Sequence, residues 1–149
     1  MTANGWTLLF HQCLLDQLER LKRASDRALK ADPRGAHMNA NVKLYAALAQ
    51  LMLRKVPDDP SRDEYRQGST LGPAYRHWRR AKIGRRFRLF FRYDSASRVI
   101  VYAWVNDENS LRSTGGKSDP YAVFQKMLAR GTPPDSFGAL VKDAGKSMP

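Results

Sequence analysis

The chain has 149 residues, 42% hydrophobic and 27% charged, with 26 Lys and Arg against 14 Asp and Glu for a net charge of +12. A chain of this length buries roughly 68–70% of its unfolded surface and folds without staples, and a lone Cys13 excludes an intramolecular disulfide. The longest early apolar run, Trp6 to Phe10, is too short for a signal segment or for the ~20 residues of a membrane span, so a cytoplasmic protein with no membrane partner is expected.

Gly5 to His11 reads as a short strand, because Trp6, Leu8 and Phe10 alternate with Thr7, Leu9 and His11. A helix follows over about 12–30, with Leu14, Leu18 and Leu21 at helical spacing. Asp32, Pro33, Arg34 and Gly35 break it. A second helix over about 37–55 carries Val42, Tyr45, Ala49 and Met52 in one stripe, and the short turn between the two predicts an antiparallel hairpin. Residues 56–72 are rich in Pro, Asp, Gly and Ser and lack periodicity, which predicts a flexible loop inside one domain spanning 1–149. Three antiparallel strands are expected over 78–83, 86–93 and 98–105. A helix near 121–130 follows, stopped by Gly131, and a short last helix carries Phe137, Leu140 and Val141. This order predicts an α+β domain: an N-terminal strand and helical hairpin packed on a small antiparallel sheet, with C-terminal helices.

The surplus positive charge makes a polyanion or an acidic protein the first partner to consider. Arg76 to Arg92 holds eight Lys and Arg and no acid. Alternation aims Phe87, Leu89, Phe91 and Tyr93 at a core, and turns Arg86, Arg88 and Arg92 outward with Phe90 among them. On the preceding strand, Ala81 and Ile83 face the core while Trp78, Arg80 and Lys82 face outward. Val99, Val101 and Ala103 alternate with Ile100, Tyr102 and Trp104 on a strand apolar on both faces. A sheet face of Arg, Lys and aromatic rings suits RNA, since guanidinium forks grip phosphate and rings stack on unpaired bases. A solvated outer face is the plainer alternative.

Other features carry less. Asn106–Asp107–Glu108–Asn109 is a polar turn that can bring a carboxylate to the basic face or simply reverse the chain. Gly115–Gly116–Lys117–Ser118 is no phosphate loop, because Leu111 stands where the pattern needs glycine, although Lys117 remains a basic residue for RNA. Asp119 before Pro120 reads as a helix N-cap, which puts Tyr121 in the first turn. His77 is a surface residue or a general base. The three histidines, Cys13 and the acids match no metal-ligand spacing, so no metal or cofactor is expected.

KIGRRFRLFFRY (82–93), AWVNDENSLR (103–112) and YAVFQKMLARGTPP (121–134), with NGW at 4–6, resemble the YhaV family of toxins, within the wider RelE-type group. The resemblance covers nearly the whole chain apart from 56–72 and the C-terminal tail. It implies the RelE-like α+β fold, and a bacterial type II toxin–antitoxin ribonuclease that cuts mRNA, typically on the ribosome. It makes Arg88, within Phe87–Arg88–Leu89, the first catalytic residue, with Lys82, Arg112, Glu108 and Tyr121 completing the catalytic candidates. Arg80, Arg86, Arg92, Trp78 and Lys117 are the candidates for RNA binding. The implied reaction is metal-independent attack of a ribose 2′-OH on the adjacent phosphate. Lys82, set among like charges that disfavour an ammonium, and Glu108 are the candidate bases. The implied partner is a PrlF-like antitoxin with an AbrB-type DNA-binding domain, whose complex with the toxin binds operator DNA. Two alternatives share the basic face: a noncatalytic RNA-binding module, and a toxin of this fold that inhibits a protein target.

Overall fold

The computed structural model describes residues 1–149. Five strands form one sheet in the order β1-β2-β5-β4-β3: β1 (Thr2–Ala3), β2 (Trp6–Phe10), β3 (Arg79–Ile83), β4 (Phe87–Asp94) and β5 (Val99–Val105). The α+β class is as expected, but the sheet is mixed. β3, β4 and β5 form an antiparallel meander, whereas β2 lies parallel to β5 with Leu8 opposite Ile100. A parallel pair needs a crossover, and here the helical hairpin and the first two meander strands supply it.

The helices cover both sheet faces. α1 (Gln12–Ala31) and α2 (Ala40–Gln50) pack Leu14, Leu18 and Leu48 against Leu8, Phe10, Leu89, Phe91, Ile100 and Tyr102. The second helix, expected over about 37–55, starts at Ala40 behind the Asn39 cap and runs on past Lys55. It passes through a π-turn (Leu51–Lys55) into a last turn, α3 (Val56–Asp58). The buried Tyr102 hydroxyl donates to the Met52 carbonyl inside that π-turn at 2.7 Å, and burial pushes the phenol well above its usual pKa. Residues 59–78 are tied to the sheet. Tyr65 and Leu71 are buried, and the Gln67 side chain donates to the Tyr75 carbonyl while accepting from Leu71 N and the Thr70 hydroxyl.

The opposite face was expected to lie open as a basic surface, and it does not. α4 (Pro120–Ala129) and α5 (Phe137–Asp143) place Tyr121, Phe124, Leu128 and Leu140 over Phe90, Trp78, Val101 and Trp104. Phe124 stacks on Phe90 at 4.4 Å and meets Trp78 edge-on at 5.1 Å. Trp104 was expected beside Ile100 and Tyr102. A register shift at Phe90/Phe91 pairs Phe90 with Trp104 and Phe91 with Tyr102, and the bulge turns the Trp104 ring into the α4 layer.

His11 caps α1, its Nδ1 accepting from Cys13 N at 3.1 Å. Burial lowers its pKa, while Asp143 and Asp16 pull the other way. A histidine whose folded pKa lies below its unfolded value of ~6.5 holds its stabilising share above that value and loses it as pH falls towards the folded one. His11→Asn keeps the capping acceptor and removes the titration. Urea midpoints at mildly alkaline and mildly acidic pH should therefore differ less in His11→Asn than in the parent; an equal difference would refute the assignment.

Candidate active site

Guanidinium groups converge where the β3–β4 hairpin meets the start of α4. Lys82 stands directly opposite Arg88 across the hairpin, and Arg80 is paired with Phe90. The Arg80 Nε donates to the Tyr121 hydroxyl at 2.8 Å, and the Arg88 Nε donates to the same oxygen at 3.2 Å. Arg112 lies over the Tyr121 ring, its Cζ 4.8 Å from the centroid. Three cations thus surround one phenol. Arg112 alone of the three has a carboxylate partner, the buried Asp119. Arg88 is 7% exposed and ends on the Tyr121 hydroxyl and the Phe87 and Gly84 carbonyls, all neutral acceptors.

Two residues fasten this arrangement. Asn106, at the end of β5, accepts from Arg88 N at 2.7 Å and donates to the Arg86 carbonyl at 2.9 Å and the Ser110 carbonyl at 2.7 Å. Arg112 N donates to the same Arg86 carbonyl, so the polar turn after β5 is clamped to the root of β4. Asp119 caps α4 through Tyr121 N, accepts from Ser113 N at 2.8 Å and binds the Arg112 guanidinium. One carboxylate therefore orients both Arg112 and the helix start that carries Tyr121. Asn106 and Asp119 were read from sequence as a turn residue and a cap. A buried amide directly after seven apolar strand residues was the available signal for the first.

The structure brings Arg88, Arg80, Lys82, Arg112 and Tyr121 together. Arg86 borders them, its side chain exposed. Glu108 and Lys117 are exposed and make no hydrogen bond or ion pair. Trp78, expected to offer its ring to a base, is fully buried, and its Nε1 donates to Asp135 at 2.7 Å. Arg92 is half-buried under Phe137 and Trp78 and donates to the Asp135 carbonyl. Burial lowers its pKa against the pull of Asp135. Arg92 belongs to the packing of α5, and Trp78 lies edge-on to Phe124 of α4. His77 pairs with Asp135 at 2.7 Å, at that same end of the sheet.

A family model described as a toxin with endonuclease activity, of a toxin–antitoxin system, matches residues 8–145. The chain belongs to the YhaV toxin family. It is 37% identical to Toxin YhaV of Escherichia coli O6:H1 over 147 residues, which is 97% of this chain and 96% of that one. It is 37% identical over 143 residues to Ribonuclease toxin YhaV of Escherichia coli K12, covering 95% and 93% of the two chains. A solved chain of the toxin–antitoxin complex RelBE2 from Mycobacterium tuberculosis aligns with a TM-score of 0.45 and 19% identity, over 70% of this chain and 99% of its own. As a YhaV family member the chain is the toxin of a toxin–antitoxin system and an endonuclease, and its partner is an antitoxin. No helix is long and apolar enough to cross a membrane.

Proposed function

We propose that this YhaV family toxin is an endoribonuclease that cuts mRNA on the ribosome by attack of the ribose 2′-OH on the adjacent phosphorus. The observation that carries this is the convergence of Arg80 and Arg88 on one hydroxyl with no carboxylate to neutralise them. Such a cluster is an anion site, and a phosphodiester in flight is the anion it suits. In the reaction a P–O2′ bond forms and the P–O5′ bond breaks, leaving a 2′,3′-cyclic phosphate and a 5′-OH. Arg88 holds the charge that builds on the non-bridging oxygens, and Arg112 assists. The Tyr121 oxygen accepts from both guanidiniums, so its own proton is free to go to the departing O5′. Lys82, across from Arg88, takes the proton from the 2′-OH. Glu108 makes no contact with the cluster and ranks behind it as the base.

The antitoxin is PrlF-like, with an AbrB-type DNA-binding domain. It covers the cationic cluster, and the complex binds operator DNA. The +12 charge speeds capture by an acidic segment of that partner. The toxin acts in the cytoplasm.

The test is incubation of purified toxin with a defined mRNA in EDTA, with and without translating ribosomes, and analysis of the product ends. Cyclic phosphate and 5′-OH termini that survive EDTA are the expected result, strongest in the ribosome lane. RNA bound but uncut in every lane would replace this reading with a binding module.

A further inference from the structure

A groove of about 660 Å³ runs beside β3, the last strand of the sheet. Its walls come from Lys55 in the π-turn, from residues 62–66, and from Arg80 and Lys82 on β3. Its charges are not balanced. Arg62 is paired with Asp58 and Glu64, and Arg66 with Asp63. Those pairs use the two acids of the lining, and Lys55, Arg80 and Lys82 have no ion-pair partner.

The groove is continuous with the arginine cluster through one side chain. Arg80 donates through Nε to the Tyr121 hydroxyl and through another guanidinium nitrogen to the Glu64 carbonyl on the groove wall, at 2.7 Å. Lys82 lies opposite Arg88. Lys55 adds a second unpaired cation to the lining beside Arg80.

We propose that this groove binds the single-stranded RNA on one side of the scissile phosphate, with successive phosphodiesters against Arg80 and Lys55. This rests on the reading of the chain as a ribonuclease. Continuity with the cluster favours the substrate strand over an acidic protein segment, because a phosphate held by Arg88 has its neighbour within reach of Arg80, which shares the Tyr121 hydroxyl with Arg88. Lys55 lies outside the cluster, so it reports on the groove alone.

The experiment compares a short RNA holding only the cleaved step with a long RNA extended on both sides. The ratio of their kcat/KM values should fall about three- to tenfold in Lys55→Gln, as expected for loss of one exposed charged contact. Lys55→Arg should restore it. Binding of the long RNA, made with a 2′-deoxy nucleotide at the cleaved step, should lose about 0.7 from its slope of log K against log salt. An unchanged ratio with an unchanged slope overturns the groove while leaving the ribonuclease intact. If the parent toxin cuts no RNA, the ribonuclease reading fails, and the salt slope alone then supports or overturns the groove. Weakened antitoxin binding in Lys55→Gln with RNA binding unmoved would assign the groove to an acidic segment and overturn the proposal.

Discussion

Replacing Arg88 by alanine is expected to lower RNA cleavage by about 10²–10³, the effect of removing one preorganised charge from a developing oxyanion, without lowering the melting temperature. The second half of that expectation is the more informative. Arg88 is buried, carries a full charge, and ends on the Tyr121 hydroxyl and the Phe87 and Gly84 carbonyls with no carboxylate. A buried cation without a counter-charge costs a fold stability. Its main-chain link to Asn106 survives substitution, since that bond uses Arg88 N. Arg88→Met, which fills most of the same space with an apolar chain, should match or exceed the parent in Tm and still be inactive. Cleavage rate and thermal unfolding measured on the same preparations check both halves. An active Arg88→Ala would remove Arg88 from the chemistry. An inactive but strongly destabilised Arg88→Met would make it a structural residue. RNA affinity should fall far less than the rate, which separates an enzyme from a binding module.

The distinction between a charge kept for chemistry and one kept for packing was only partly visible along the chain. Strand alternation placed Arg80, Lys82 and Arg88 on one side of the sheet, and that side is where they are. Alternation reports the side of a residue and not what lies over it. Phe90, read as an aromatic on an open basic face, is at the centre of the second core because α4 covers it. Trp78 and Arg92 went the same way: both face RNA in the sequence, and Phe124 of α4, Phe137 of α5 and Asp135 enclose them. The parallel partnership of β2 and β5 joins residues over ninety positions apart, and no local pattern carries it. The bulge that turns Trp104 breaks the two-residue period on which the reading depended. Arg112 and Tyr121 came from resemblance rather than spacing. Their meeting depends on Asp119, whose cap was legible and whose second bond, to Arg112, was not.

Phe124→Ala is expected to be the most damaging single truncation in the α4 layer, at about 3–5 kcal/mol, the usual range for deleting a buried aromatic ring. Phe124 is fully buried and is the hub of four aromatic rings, stacked on Phe90 at 4.4 Å and on Trp104 at 5.8 Å and edge-on to Trp78 at 5.1 Å. Such contacts add to the burial term and depend on ring geometry. Removing the ring opens a cavity between sheet and helix, lined by rigid side chains that cannot collapse into it. Phe124→Leu keeps most of the volume and should cost roughly 1–2 kcal/mol. Urea midpoints for the two variants, with slopes checked for constancy, give both numbers. The consequence reaches the active site, because α4 carries Tyr121 one turn earlier, and Tyr121 packs edge-on against Phe90 at 5.5 Å while its hydroxyl takes both arginines. At a temperature where Phe124→Ala is still folded, its cleavage rate should drop through misplacement of Tyr121, whereas Phe124→Leu should keep most of it. Full activity in folded Phe124→Ala would mean that Asp119 and the arginines hold Tyr121 in place without the core beneath it.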